Sequence, residues 1–166
     1  MEKKDFTAEG AKSAEEERGQ NVSSSPLPSA SSAPSVVSPS SHPINDITGQ
    51  VVDAALKVHK ALGPGLLESA YEVCLAYELR RRGLWVVAQW PLPVVYDGVR
   101  LDAGYRVDLL VEDRAIVELK AVEALLPIHQ AQLLSYLKLS GRKVGLLINF
   151  HVVKLKDGIK RIVNHL

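Results

Sequence analysis

The sequence predicts an α/β domain, a mixed central sheet flanked by helices, with a disordered tail in front of it. Three observations carry that expectation. Ile47, Val51, Ala54, Val58 and Leu62 recur at helical spacing. Between about Leu84 and Ala121 the apolar period shortens to two. Val144–Asn149 is then a short continuous apolar run, as in strands covered on both faces. A chain of 166 residues has room for one such domain and a tail, with a modest core.

Residues 1–43 are read as the tail. Their first part is charged and polar, and Asn21 to Pro43 is a run of Ser, Pro and Ala with almost nothing to bury. Such a segment cannot offset the entropy lost on ordering. The folded domain is placed at residues 44–166. A first helix is expected from about Asp46 to Leu62, broken by Gly63-Pro64-Gly65. A second runs from about Leu66 to Arg82, with Leu67, Ala70, Tyr71, Cys74, Leu75 and Leu79 facing inward. Arg80, Arg81 and Arg82 suit the negative end of its dipole, and Gly83 stops it. Leu84–Gln89 and Leu92–Tyr96 read as two short strands whose prolines suit a sheet edge. Asp97-Gly98 signals a tight turn, after which Val99–Asp102 returns antiparallel. A hairpin follows, Tyr105–Val111 and Ala115–Ala121, joined by Glu112-Asp113-Arg114. Pro127 opens a third helix that ends near Leu139, before Gly141. Val144–Asn149 is expected parallel to Ala115–Ala121 through a right-handed crossover. Val152–Lys156 and Ile159–Val163, joined by Asp157-Gly158, are expected to close the domain as a hairpin.

Composition excludes several classes. No apolar run is long enough to span a membrane. The opening Met1-Glu2-Lys3-Lys4-Asp5 lacks the apolar segment of a secretory signal, which places the protein in the cytoplasm. A single cysteine, Cys74, makes neither an internal disulfide nor a zinc cluster and reads as a buried structural thiol. Histidines 42, 59, 129, 151 and 165 lack zinc spacing and read as non-ligands, with His129 nearest the proposed site. No glycine-rich phosphate loop precedes a helix with Lys-Ser/Thr, which argues against nucleotide triphosphate hydrolysis. Net charge is +1: residues 1–43 hold four Lys/Arg against six Asp/Glu, and the remainder sixteen against thirteen. A mildly basic body is compatible with a phosphate-bearing ligand. Lys138, Arg142, Lys143, Lys154, Lys156, Lys160 and Arg161 either line a backbone-binding groove or are a solvated surface.

The hairpin carries the chemistry. Glu118 and Lys120 share one face of their strand, and Val117 and Leu119 take the other. With a three-residue loop Val111 lies opposite Ala115, and counting back puts Asp108 across from Glu118. Facing carboxylates repel, so the pair asks for a hard divalent cation such as Mg²⁺, which takes oxygen ligands. The plain alternative is that Glu118 and Lys120 form a solvated pair on an exposed strand.

Asp108, the hairpin and Glu118-x-Lys120 resemble the signature of the PD-(D/E)XK nuclease superfamily, with Val107 where its proline often stands. Gly65-Leu66-Leu67-Glu68-Ser69-Ala70-Tyr71 fits the pattern of the GxxExxY protein family within it, and Gln132-Leu133-Leu134-Ser135-Tyr136 resembles the Gln-x-x-x-Tyr element of its exonuclease-like branches. The resemblance covers about Ile44 to Asn164. It implies a restriction-endonuclease-like sheet, with Mg²⁺ or Mn²⁺ held by Glu68, Asp108, Glu118 and the Leu119 carbonyl, and Lys120 at the attacking water. Read without the resemblance, Glu68 is an acid favoured in the first turn of a helix. Tyr71 either shapes the site or packs in the core. Gln132 and Tyr136 share a helix face: Gln132 either bonds Lys120 or a phosphate or stays on the surface, and Tyr136 supports it, stacks on a base or is core.

The reading is metal-dependent phosphodiester hydrolysis of nucleic acid, DNA ahead of RNA. The alternative is a catalytically silent module that keeps the fold for binding. A homodimer has no support in the sequence.

Overall fold

The computed structural model describes residues 42–165. The tail expectation therefore lies almost wholly outside the described residues. Within them the order is α1 (Ile44–Leu62), α2 (Glu68–Arg81), β1 (Val86–Tyr96), β2 (Val99–Val111), β3 (Ala115–Lys120), α3 (Pro127–Ser140), β4 (Val144–Asn149), a 3-10 turn (Leu155–Gly158) and β5 (Ile159–Val163). The five strands lie side by side in sequence order. β3 and β4 are parallel, with Glu118 beside Leu147 and Lys120 beside Asn149, and every other neighbouring pair is antiparallel. This is the mixed α/β sheet the sequence predicts.

Alternation along the strands separates two cores. On one face Leu109, Val111, Val117, Leu119, Leu146 and Ile148 pack with Ile47, Val51 and Val58 of α1 and Tyr71, Leu75 and Leu79 of α2. On the other, Leu110, Ile116 and Leu147 pack with Leu133, Tyr136 and Leu137 of α3. β3 and β4 are buried throughout apart from half-buried Lys120, because helices cover both faces. α3 approaches closely at Gly145, where an added Cβ would come within 2.8 Å of the Leu133 side chain.

Three strand expectations need correction. Leu84–Gln89 and Leu92–Tyr96 form one strand, not two. β1 is an edge, so its prolines cost no interior ladder, and an irregularity between Leu92 and Val94 absorbs the mismatch. Val99–Asp102 and Tyr105–Val111 likewise merge into β2, with Gly104 at φ 74 supplying the adjustment. Finally, Val152–Lys156 is not a strand. Leu155 is drawn into the core, and the chain returns so tightly that a Cβ on Gly158 would sit 2.4 Å from the Asn149 carbonyl oxygen. That leaves β5 to pair with β4. Cys74 is half-buried against the first core, less enclosed than its helical position suggested, and Leu67, expected to face inward, precedes α2 and is exposed.

Candidate active site

The β2–β3 turn sets the register on which the site depends. Glu112 and Asp113 both adopt positive φ (54°), and Arg114 N–H donates to the Val111 carbonyl at 3.0 Å. Glu112 is locked by Trp85, whose N–H donates to its carboxylate at 2.6 Å and whose carbonyl accepts its N–H at 2.9 Å. The ladder then pairs Val111 with Ala115 and Leu109 with Val117. One step further, Asp108 Oδ2 accepts the Leu119 N–H at 2.7 Å, which brings its carboxylate in beside Glu118.

Glu118 is 2% exposed, which removes the solvated-pair alternative. Its Oε1 accepts from Lys120 Nζ at 2.8 Å, while its Oε2 is buried with no partner. Burial, and then repulsion from Asp108, push the Glu118 carboxyl up to about 7 against the pull of Lys120. Burial likewise raises Asp108 to about 6, opposed by the Leu119 N–H and Lys120 and aided by Glu68 and Glu72. Lys120 is raised as well, which for an ammonium favours the charged form. Burial alone would lower it, but the hydrogen bond and charge of Glu118, with Glu68 and Asp108, raise it, so the ammonium stays charged.

Glu68 is the first residue of α2 and meets Lys120 at the end of β3, with its carboxylate 3.8 Å from Lys120 Nζ and accepting the Ala121 N–H at 3.3 Å. Its place is fixed by the preceding loop. The Tyr71 hydroxyl donates to the Gly63 carbonyl at 2.7 Å and accepts the Leu66 N–H at 3.0 Å, while its ring stacks on Phe150 at 4.4 Å. Tyr71 is thus a core residue that also ties down the approach to Glu68.

Gln132 does not reach Lys120. Its amide donates to the Tyr136 hydroxyl at 2.9 Å. Tyr136 is 5% exposed; burial raises its hydroxyl, with a further push from the Glu118 carboxylate that marks it as a neighbour of the site. The basic residues do not form one strip. Arg142 pairs with Asp113, lies over the Trp90 ring at 4.5 Å, and lines a cleft with Arg114 and Lys143, whereas Arg161 bonds Asn45 and lines another.

Three residues escaped the sequence reading. Glu72 stands one turn after Glu68, a spacing that would have placed it on the same face. It accepts from Gln89 at 2.6 Å and adds negative charge near Asp108. Gln89 itself sits at φ 51, where the β1–β2 pairing skips from Ala88–Leu109 to Trp90–Val107, opposite Asp108. Nothing in the sequence announces that strain. Asn149, 1% exposed, accepts the Val122 and His151 N–H groups and donates to the Val122 carbonyl. An Asn ending an apolar strand was its only signal.

The donor set fits a hard cation. Two desolvated carboxylates, one with a buried unpartnered oxygen, gain from a cation between them. The fit rests on this pair: among the described residues no three His, Cys, Asp or Glu side chains converge to hold a metal, and Glu68 is engaged at Lys120.

No helix among the described residues is long and apolar enough to cross a membrane. Among curated proteins and among solved structures nothing matches. The family model of the PD-(D/E)XK nuclease superfamily matches residues 45–162, a stretch that takes in the whole sheet but its last residue, and all of Glu68, Asp108, Glu118, Lys120, Gln132 and Tyr136. Matched over well more than half its length and bearing the acid pair and lysine on the expected hairpin, the chain belongs to the PD-(D/E)XK nuclease superfamily.

Proposed function

We propose that this domain is a nuclease that hydrolyses phosphodiester bonds of nucleic acid, DNA ahead of RNA, and that within the superfamily it falls in the GxxExxY branch marked by Gly65, Glu68 and Tyr71. The observation that carries the reading is the unpartnered, buried Glu118 Oε2 beside Asp108. Lys120 offsets only part of the charge of such a pair, and a bound cation would relieve the rest.

Asp108, Glu118 and the Leu119 carbonyl would hold Mg²⁺ or Mn²⁺, with Glu68 as the acid nearest Lys120. Bound there, the ion would neutralise phosphoryl oxygens and lower the pKa of a water. The chain's own part follows from its charges. Lys120 stays protonated between Glu118 and Glu68, so it serves as a fixed cation that orients the attacking water and stabilises the negative charge growing on phosphorus oxygens, not as a base. Water adds to phosphorus, the bond to one ester oxygen breaks, and that oxygen leaves with a proton. Tyr136 stays neutral and, with Gln132, closes the α3 side of the site.

Lys120→Ala and Asp108→Ala test the reading. Each is expected to lower Mn²⁺-dependent cleavage of an oligonucleotide by at least about 10³-fold while the circular dichroism spectrum stays unchanged. Cleavage at the wild-type rate in either variant removes the proposal. No cleavage by the wild type, with intact cation binding, leaves the binding module in its place.

A further inference from the structure

A second feature lies next to Lys120 and has no part in the chemistry above. Beyond the carboxyl ends of the parallel pair β3 and β4 is a cleft of about 540 Å³, lined by Ala121, Val122, Glu123, Ala124, Leu126, His129 and His151. In α/β sheets such a position is where ligands bind. The cleft is held in shape by Asn149, whose one buried amide grips Val122 on one wall and His151 on the other, and by the Phe150 N–H, which donates to the Lys120 carbonyl at 2.8 Å.

His129 occupies the third position of α3, and its Nδ1 accepts the Leu126 N–H at 3.1 Å. That bond is the half of a capping box that Glu or Gln ordinarily makes. Either would cap as well, so the cap alone does not call for histidine. What histidine adds is a second ring nitrogen. Because Nδ1 accepts, the ring proton is on Nε2, and a donor is left over on a rigid ring, which a capping Glu lacks and a capping Gln carries only on a freely rotating amide.

We infer that this cleft is a phosphate subsite of the nuclease, in which His129 Nε2–H, with His151 across the cleft, donates to a phosphate of the substrate strand next to the one undergoing hydrolysis. The inference rests on the proposed nuclease reading. Imidazole donors suit phosphate oxygens, and the cleft begins at Ala121, one residue after Lys120, which puts it next to the acid pair along the chain. Glu123 lines the cleft as well, but it is exposed and screened by solvent. The phosphate is either an internal phosphodiester or a terminal phosphomonoester.

The test uses the full chain and fluorescein-labelled oligonucleotides with and without a 5′-phosphate, read by anisotropy. His129→Gln keeps the cap through its amide oxygen and an outward N–H on its amide nitrogen, and is expected to bind within about threefold of the wild type at an unchanged Tm. His129→Glu keeps the cap but has no outward donor, and is expected to bind at least about tenfold more weakly at an unchanged Tm. Equal weakening on both oligonucleotides assigns an internal phosphodiester; weakening confined to the phosphorylated one assigns a strand end. Wild-type affinity in His129→Glu overturns the subsite and leaves the nuclease reading standing. Absence of oligonucleotide binding by the wild type overturns both.

Discussion

The two sides of β3 are built on opposite principles. Val117 and Leu119 point into the core under α1 and α2, where they are fully buried among apolar neighbours. Glu118 and Lys120, alternating with them, bury a carboxylate and half-bury an ammonium at the other face, with one oxygen left unpartnered. Six residues therefore contain both the strongest argument for folding and the strongest argument against it. The difference teaches that the charged side is kept despite the fold, since apolar residues of similar volume would pack there at no electrostatic cost. The apolar side makes the strand; the polar side makes the site.

That contrast can be broken by removing one side at a time. Val117→Ala is expected to lower stability by about 2–3 kcal/mol, through lost burial and a cavity the core fills only in part, while Mn²⁺ binding persists. Glu118→Gln is expected to cost the cation-free protein less than Val117→Ala, because the amide oxygen still accepts from Lys120 and the carboxylate it replaces is desolvated and repelled by Asp108. Urea unfolding of the two variants checks both. A loss in Glu118→Gln as large as that in Val117→Ala would make the carboxylate a structural residue.

A smaller effect sharpens the same comparison through pH. Asp108 and Glu118 are raised in the folded state, from 3.8 to about 6 and from 4.5 to about 7. The folded protein therefore holds more protons than the unfolded chain between about pH 4 and pH 7, and stability falls as pH rises through that window. Thermal melts without divalent cation are expected to show a Tm lower at pH 8 than at pH 5, with the two groups together contributing about 2 kcal/mol after allowance for partial exposure. Asp108→Asn flattens the slope. A Tm that rises from pH 5 to pH 8, equally in both proteins, would contradict the placement of the two carboxyls together.

Much of this was legible from residues alone. Two helices follow from the spacing of their apolar residues and the third from Pro127, with stops at Gly63, Gly83 and Gly141, each at positive φ. The encounter of Asp108 with Glu118 follows from counting across a three-residue turn. What stayed hidden depends on contacts distant in sequence. Asn149 acts through Val122, which it meets only once β3 and β4 pair. Gln89 takes its strained φ from the β1–β2 ladder and its partner from α2. Val152–Lys156 reads as a strand locally, yet burial of Leu155 and the close pass of Gly158 over Asn149 decide otherwise. Gln132 was legible only in part: of the partners the sequence left open, Lys120, a phosphate or Tyr136 four residues on, it is Tyr136 that its amide meets.

The central claim is that Asp108 and Glu118 are buried together in order to share a cation. Calorimetric titration of the full chain with Mn²⁺ tests it most directly. A saturable heat in the wild type, absent from Asp108→Asn, is the result predicted. No heat in the wild type, or the same heat in the variant, would contradict it.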